Sequence, residues 1–386
     1  MVRIANIVTD EKFIDNLIEL NDNICHSAEN YYVLVYIKNI PVLKLIKQSH
    51  RILFVEKTAF VSFLENNHID AVFLHNLLSL PLDVTPQIPK SLLVFWMAWG
   101  IDIYNEFVLN IPLYHHDTQK FVCNFKNKLI KKIKEITFYS KKRRDLYRNA
   151  ISRVDYFSGV LPQEYGLMSK LTFFHAKQFY YSYNSLDDLK DNESNFILSK
   201  GMDVMLGNSA APTNNHLDMF ELVNSFADKN DIKYYAVLSY GASQNYINKI
   251  VSAGRKLWGG RFIPLLQFMN RYDFFKLYDD CGFCLYLLER QQAIGNIEFA
   301  LKHGKKVFIS DNCLTYHYFK SIGCDIYSIQ KDLSKESLKV PLSEESQKKN
   351  YNIITSLYTI NTETEKINQL VNIIIKKKIS HLGSLY

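Results

Sequence analysis

Residues Phe283 to Asn312, FCLYLLERQQAIGNIEFALKHGKKVFISDN, constrain the fold of this chain more tightly than any other stretch. An apolar run (Phe283 to Leu288) leads into a polar elbow (Glu289 to Asn296). A helical run follows, closed by His303-Gly304, and then a second apolar run (Lys306 to Ser310). Neither apolar run alternates enough for a half-solvated strand. Both fit parallel strands covered on both faces, joined by a right-handed crossover helix. In such sheets ligands sit beyond the carboxyl ends of the strands, and the elbow occupies that place with an arginine, two glutamines, an asparagine and a glycine.

The same alternation runs through the second half of the chain. Strands are expected at Val204 to Leu206, Tyr234 to Leu238, Phe262 to Leu266, Phe283 to Leu288, Lys306 to Ser310 and Asp325 to Ile329. Helical runs fall between them at His216 to Ala227, Gln244 to Leu257, Arg271 to Asp280, Ile294 to His303 and Thr315 to Ser321. That pattern describes a doubly wound α/β sheet. The first half alternates more loosely, with strands expected at Ile4 to Val8, Tyr32 to Ile37, Ile52 to Val55, Ala71 to Leu74, Leu92 to Trp96, Tyr156 to Val160 and Leu171 to Phe174. The polar, mostly acidic stretch Asn184 to Asn195 reads as a linker, and Ser343 to Leu382 as two helices. The expected domains are residues 1–183, residues 196–362 and a C-terminal helix over 363–386 able to cross back. A chain of 386 residues has length enough for two cores.

Composition narrows the class further. The six cysteines are scattered. Cys281 and Cys284 lead into a strand, with no second pair or histidine set to complete a metal site, which reads as a reducing compartment. The first dozen residues carry acidic side chains and do not read as a signal peptide, and the run Leu92 to Ile101 is too short to cross a membrane.

The distinctive polar clusters all follow strands: Gly207 to His216 (GNSAAPTNNH), Ser239-Tyr240-Gly241, Gln267, the elbow, and Ser310-Asp311-Asn312. Together they describe one crevice suited to a nucleotide diphosphate at helix N-termini. Taken alone, Asn208 to Asn215 reads equally as turn chemistry and an N-cap. There is no GxxxxGK[ST], no GxGxxG in either first βα turn, no Asp-x-Asp and no histidine grouping at metal-ligand spacing. The expectation is therefore no cofactor and no protein-held metal, with amides, helix dipoles and Arg290 or Arg255 meeting the diphosphate charge.

Two doubly wound domains with a nucleotide crevice in the second suggest the GT-B glycosyltransferase architecture, two Rossmann-like domains facing a central cleft. The motifs go further. WGxDxY (Trp99, Gly100, Asp102, Tyr104), GNS with a following asparagine and histidine (Gly207, Asn208, Ser209, Asn214, His216), SYG (Ser239 to Gly241) and RQQxIG (Arg290 to Gln292, Ile294, Gly295) resemble the glycosyltransferase family 56 enzymes. These are the TDP-N-acetylfucosamine:lipid II N-acetylfucosaminyltransferases of enterobacterial common antigen synthesis. The resemblance implies transfer of a deoxyamino sugar from a dTDP-sugar or UDP-sugar donor to a polyprenyl-linked glycan acceptor at the cytoplasmic face of the bacterial inner membrane. It implies a donor site of Gly207, Asn208, Ser209, Asn214, Tyr240, Gly241, Arg290, Gln291, Gln292, Gly295, Asn296 and Glu298, and an acceptor side with Trp99, Tyr104, His115 and His116.

Charge points toward the same membrane. Residues Lys126 to Arg148 hold ten Lys/Arg and two acidic residues, against a net charge of +7 for the whole chain. Phe125, Leu129, Ile133 and Ile136 recur at spacings of three or four, which describes a basic amphipathic helix. Lys131, Lys132, Lys141, Lys142, Arg143 and Arg144 are its expected contacts with an anionic inner-membrane surface, and the protein is expected to be peripheral. The rival is a grip on nucleic acid through Phe138, Tyr139 and Tyr147, a non-catalytic reading that leaves the second-domain crevice unused. For the chemistry, Asp102 is the expected general base, with His115 or His116 behind it, and capping is its alternative role. Glu289 and Glu298 are one residue further apart than the Glu-x7-Glu of many retaining GT-B enzymes, and the stereochemistry stays open.

Overall fold

The computed structural model describes residues 1–11, 13–123, 138–184, 189, 196–226, 232–269 and 271–383. The chain divides into two compact units. The first comprises Met1–Ile111, Ile136–Ser194 and Tyr358–Tyr386; the second comprises Pro112–Glu135 and Asn195–Leu357.

The first unit holds seven parallel strands: β1 (Val2–Ile7), β2 (Ala28–Tyr36), β3 (Ile52–Glu56), β4 (Ala71–Leu74), β5 (Leu93–Met97), β6 (Tyr156–Ser158) and β7 (Lys177–Gln178). Their order is β3-β2-β1-β4-β5-β6-β7. The second unit holds β8 (Asp203–Leu206), β9 (Tyr234–Val237), β10 (Phe262–Leu265), β11 (Cys281–Tyr286), β12 (Lys306–Ile309) and β13 (Tyr327–Ser328), ordered β10-β9-β8-β11-β12-β13. Both sheets are doubly wound with the Rossmann order, so each has a switch point where the strand order reverses, between β1 and β4 and between β8 and β11.

The central strands β5 and β11 carry no charged side chain because both of their faces are covered. All five residues of β5 and all six of β11 are buried, including Cys281 and Cys284. Burial pushes the Cys281 thiol up to about 12, so it behaves as a small apolar side chain. Edge strand β3 instead exposes Leu53 and Glu56. The helix Ile14–Ile24 buries Ile14, Leu17, Ile18 and Ile24, a stripe at helical spacing. The last helix, Ile360–Gly383, returns Ile367, Leu370, Val371 and Ile374 to a core shared with Val2, Ile4 and Phe95 of the first sheet.

Three expectations change. Leu171 to Phe174 is a turn rather than a strand, and the last strand is the two-residue β7, whose exposed side chains leave no hydrophobic trace. The segment from Pro112 groups with the second unit instead of continuing the first, and the closing segment rejoins the first unit at Tyr358 rather than at 363. Most of the expected linker, with Lys131, Lys132, Phe125, Leu129, Ile133 and Ile136, lies outside the described residues. On the helix Phe138–Arg153, Lys141, Lys142 and Arg144 are exposed. Arg143 is half-buried, its guanidinium over the rings of Phe107 and Tyr147.

Asp102 is the largest correction. Its carboxylate is fully buried and accepts three hydrogen bonds, from Leu77 N (3.1 Å), Trp96 Nε1 (2.9 Å) and Trp99 N (2.8 Å). A base needs a face open to its substrate, and this carboxylate instead locks the turn after β5 onto the loop after β4. Tyr104 is buried in the same core, near Glu164, and presents no surface to an acceptor. Trp99 remains half-buried, edge-on to Phe13 at 4.4 Å between ring centroids. Asp102→Ala strands three buried donors and should cost on the order of 3 kcal/mol or more in urea unfolding; stability near wild type would show that the turn forms without the carboxylate.

Glu164 is fully buried as well, and burial lifts its carboxyl from 4.5 to about 7 despite the hydrogen bond from Leu161 N. Between those values the folded chain keeps a proton that the unfolded chain releases. This contribution to stability is complete below the unfolded value and is lost as pH rises through about 7. Wild-type stability should therefore fall by about 1.4 kcal/mol per pH unit across that window, and Glu164→Gln should flatten the fall. Parallel melting curves against pH for the two proteins would show that this carboxyl is not the source.

Candidate active site

The second unit's switch point lies between β8 and β11, and its polar residues fall into two groups with different work. The first group builds the walls. Gly207, directly after β8, has φ +67, and a Cβ there would lie 2.9 Å from Asn214 Oδ1, so only glycine fits. Asn214 is fully buried. Its Oδ1 accepts from Asn208 N (3.1 Å), and its Nδ2 donates to Ser209 O (3.0 Å). Gln292 reaches across from the elbow after β11, donating from Nε2 to Asn208 Oδ1 (2.8 Å) and accepting at Oε1 from Thr213 Oγ1 (2.6 Å). With Oε1 and one Nε2 hydrogen engaged, that amide stitches two loops together and keeps a single N–H for any other partner. Gly241 has φ +98, and a Cβ there would meet Ala211 N at 3.0 Å; Tyr240 O accepts from Ala210 N, which packs this turn onto the loop after β8.

The second group faces outward. Tyr240 is 45% exposed and donates from its hydroxyl to Asn208 O (3.3 Å). Arg290 is half-buried and donates from Nη1 to Gln291 O (2.9 Å), while Gln291 itself is buried. Ala293, in the left-handed region at φ +64, turns the chain into the helix Ile294–Lys302. Gly295 lies exposed in the first turn of that helix, and no heavy atom comes within 4 Å of where its Cβ would be. Asn296 and Glu298 are half-buried on the same helix. Open space over a helix N-terminus, where backbone N–H groups have no intrahelical acceptor, is a place for an anion to approach closely.

His115 enters this crevice from the segment before the helix His116–Val122. Asn215, left-handed at φ +51, accepts from His115 N at its Oδ1 (2.8 Å) and donates from Nδ2 to Leu113 O (3.2 Å) and Leu287 O (3.0 Å). Asp218 caps the helix His116–Val122 by accepting from Asp117 N (2.8 Å) and Thr118 N (2.9 Å). So fixed, His115 Nε2 donates to Glu289 Oε1 at 2.7 Å, and Ser310 Oγ donates to the same oxygen at 3.2 Å. The hydrogen bond to Glu289 raises the imidazole above its ordinary value, against partial burial, with the charges of Glu289 and Asp218 adding to it. The result is a half-exposed histidine biased toward its cationic form beside the elbow. His116 is exposed and pairs with Asp117 at 3.0 Å.

Two histidines at the ends of elements are fully buried, His216 of the GNS motif and His75. His216, at the start of the helix His216–Phe226, is fully buried and held neutral by burial, pressed down to about 3. His75, just past β4 in the first unit, is likewise neutral; it accepts at Nδ1 from Tyr183 Oη (2.6 Å) and donates from Nε2 to Asn6 Oδ1 (3.0 Å). Among the described residues no group of three or more His, Cys, Asp or Glu could hold a metal ion.

Gly295 separates the two groups of residues experimentally. Gly295→Ala should leave the melting temperature unchanged or raise it, since alanine favours a helix over glycine by about 0.5–1 kcal/mol. The added methyl occupies the open space and should weaken nucleoside diphosphate binding at least tenfold by calorimetry. Equal affinity would place the ligand elsewhere.

Residues 169–337 match the family model described as 4-alpha-L-fucosyltransferase glycosyl transferase group 56. No curated protein sequence matches the chain. Among solved structures, sucrose-phosphate synthase from Thermosynechococcus elongatus superposes with a TM-score of 0.64 at 10% identity, covering 97% of this chain and 100% of that one. HepE from Anabaena, solved in complex with UDP and glucose, gives 0.60 at 10% identity over 96% and 99%. A structure described as trehalose-6-phosphate from E. coli bound with UDP-2-fluoro glucose gives 0.54 at 9% over 98% and 96%. Residues 169–337 thus match the group 56 fucosyltransferase family model, and the chain has the fold of the GT-B glycosyltransferases.

Proposed function

We propose that this protein moves an N-acetylfucosamine-like deoxyamino sugar from a dTDP-sugar, or the corresponding UDP-sugar, to a polyprenyl-diphosphate-linked oligosaccharide, in bacterial surface polysaccharide synthesis of the enterobacterial common antigen kind. It works without a protein-held metal, as a peripheral protein on the cytoplasmic face of the inner membrane. The observation that carries the reading is the His115–Glu289 pair beside the open N-terminus of the helix Ile294–Lys302. The match over residues 169–337 supports the sugar class, and the UDP in the HepE structure supports a nucleotide-sugar donor.

Sugar transfer breaks the bond between the anomeric carbon and the diphosphate, and negative charge grows on the departing phosphate oxygen. The helix N-termini supply backbone N–H donors and a partial positive charge for the diphosphate. His115, whose charged form the Glu289 pair favours, supplies a cationic N–H when protonated, and Arg290 supplies a second cation at the elbow. With Asp102 inside the core, His115 belongs to leaving-group stabilisation, and a proton on its ring serves that role directly.

His115→Gln should bind dTDP or UDP at least tenfold more weakly in the presence of EDTA and lower transfer to a polyprenyl-linked acceptor by about 10²-fold. Because the active form is protonated, wild-type activity should decline as pH rises through the raised histidine pKa. Glu289→Gln should move that decline to lower pH. Loss of all diphosphate binding on chelation would overturn the metal-free reading, and a pH profile unmoved by Glu289→Gln would remove His115 from the step.

A further inference from the structure

We infer that the loop from Ile37 to Gln48, at the carboxyl end of β2, is a bilayer-inserting loop that seats the first unit on an anionic membrane surface. Four large apolar side chains stand in solvent along this short stretch: Ile37 (53% exposed), Ile40 (59%), Val42 (84%) and Leu45 (47%). Single exposed apolar residues are ordinary. Four within nine positions are not, and they are interleaved with exposed Lys38, Lys44 and Lys47, while residues 37–48 contain no acidic side chain.

The loop is built to hold those side chains outward. Asp10 accepts from the backbone N–H groups of Lys44 (2.7 Å), Leu45 (3.0 Å) and Ile46 (3.0 Å), and Asp15 accepts from those of Lys47 (3.0 Å) and Gln48 (2.9 Å). Burial pushes the Asp10 carboxyl up, but these amides and Lys44 outweigh it and hold the group below its ordinary value, ionised. Ile46 is buried and Leu43 packs against the same core with Ile14, Leu17 and Ile52. Leu43 and Ile46 therefore anchor the loop, and Ile37, Ile40, Val42 and Leu45 project from it. With the five backbone amides of residues 44–48 tied down, the carboxyl half of the loop has prepaid part of the ordering cost of presenting an apolar face, and the lysines around that face complement anionic headgroups.

Position supports the same occupant. Behind the loop lies a cavity of about 440 Å³, lined by Val8, Leu34, Val35, Tyr36, Leu80 and Pro81 among others, at the carboxyl ends of β1 and β2 beside the first unit's switch point. An apolar recess opening next to an inserted loop would receive the lipid-proximal part of an acceptor without drawing it through water. The inference rests on the reading that the acceptor is membrane-held, and it assigns the contact to residues 37–48 rather than to the cations of the helix Phe138–Arg153.

Co-sedimentation with vesicles of phosphatidylcholine containing phosphatidylglycerol, and with pure phosphatidylcholine, tests it on the full chain. Wild type should partition onto the anionic vesicles in a salt-sensitive manner. The double variant Ile40→Ser, Val42→Ser should lose at least tenfold in partition coefficient, and Lys38→Gln with Lys44→Gln should lose the preference for anionic vesicles. Both should keep the wild-type melting temperature and UDP affinity, so that a failure here is distinct from a failure of the donor-site reading. Val42→Trp should shift its emission to the blue on vesicle addition. Wild-type partition by the Ile40/Val42 variant, with loss confined to Lys141→Gln, Lys142→Gln, Arg144→Gln, would overturn the proposal. A change in oligomeric state with no change in partition would overturn it too, by making the loop a contact between copies.

Discussion

The side-chain amide of Asn215 is the interaction on which the second unit's crevice depends. One residue in a left-handed conformation holds Leu113 O, Leu287 O and His115 N at once, so it fastens a segment from a hundred positions earlier to the end of β11. All three groups are main-chain atoms. An unpaired backbone group in this buried place would cost about 1–3 kcal/mol, and Asn215 is itself fully buried, so the arrangement is not negotiable side chain by side chain. Through it His115 comes to lie 2.7 Å from Glu289, and the unit acquires a cation that its own continuous sequence from Asn195 does not supply.

This explains an otherwise odd division of labour among the polar residues. Asn208, Thr213, Asn214 and Gln292 look like ligand-binding groups by type, yet the structure uses them on one another and on the backbone. Neutral amides suit that work: each is donor and acceptor together, and a closed set of them is satisfied without net charge. What they hold in place is a rim of helix N-termini with His115, Arg290 and Tyr240 projecting from it. A diphosphate meeting such a rim exchanges water for donors that were already oriented, which is how preorganised sites lower the cost of charge development.

Legibility in the sequence followed burial. Strands covered on both faces, such as β5 and β11, announce themselves as unbroken apolar runs, and the polar elbows after them were visible for the same reason. Strand β7 was invisible because its two residues are exposed and pair only with β6. The membership of Pro112 and its neighbours in the second unit was invisible because it is decided by tertiary hydrogen bonds to Asn215 and Asp218, and no periodicity records those. The loop at 37–48 passed unnoticed because its apolar residues continue a strand pattern, and only the structure shows that Ile37, Ile40, Val42 and Leu45 face water.

Asp102 shows where residue type misleads. A carboxylate between a tryptophan and a tyrosine, just past a central strand, has the sequence position of a catalytic base, and the structure has that position filled by three donors. Burial raises its pKa while those hydrogen bonds lower it, and both effects follow from the same enclosure. A base must gain its proton from a substrate that reaches it, so basicity bought by burial is useless when burial is complete. His115 has the opposite balance: enough enclosure for Glu289 to act on it strongly, and enough exposure for a ligand to benefit. Partial burial next to one committed partner, rather than the acidity of any single residue, is what recommends His115 for the role proposed for it.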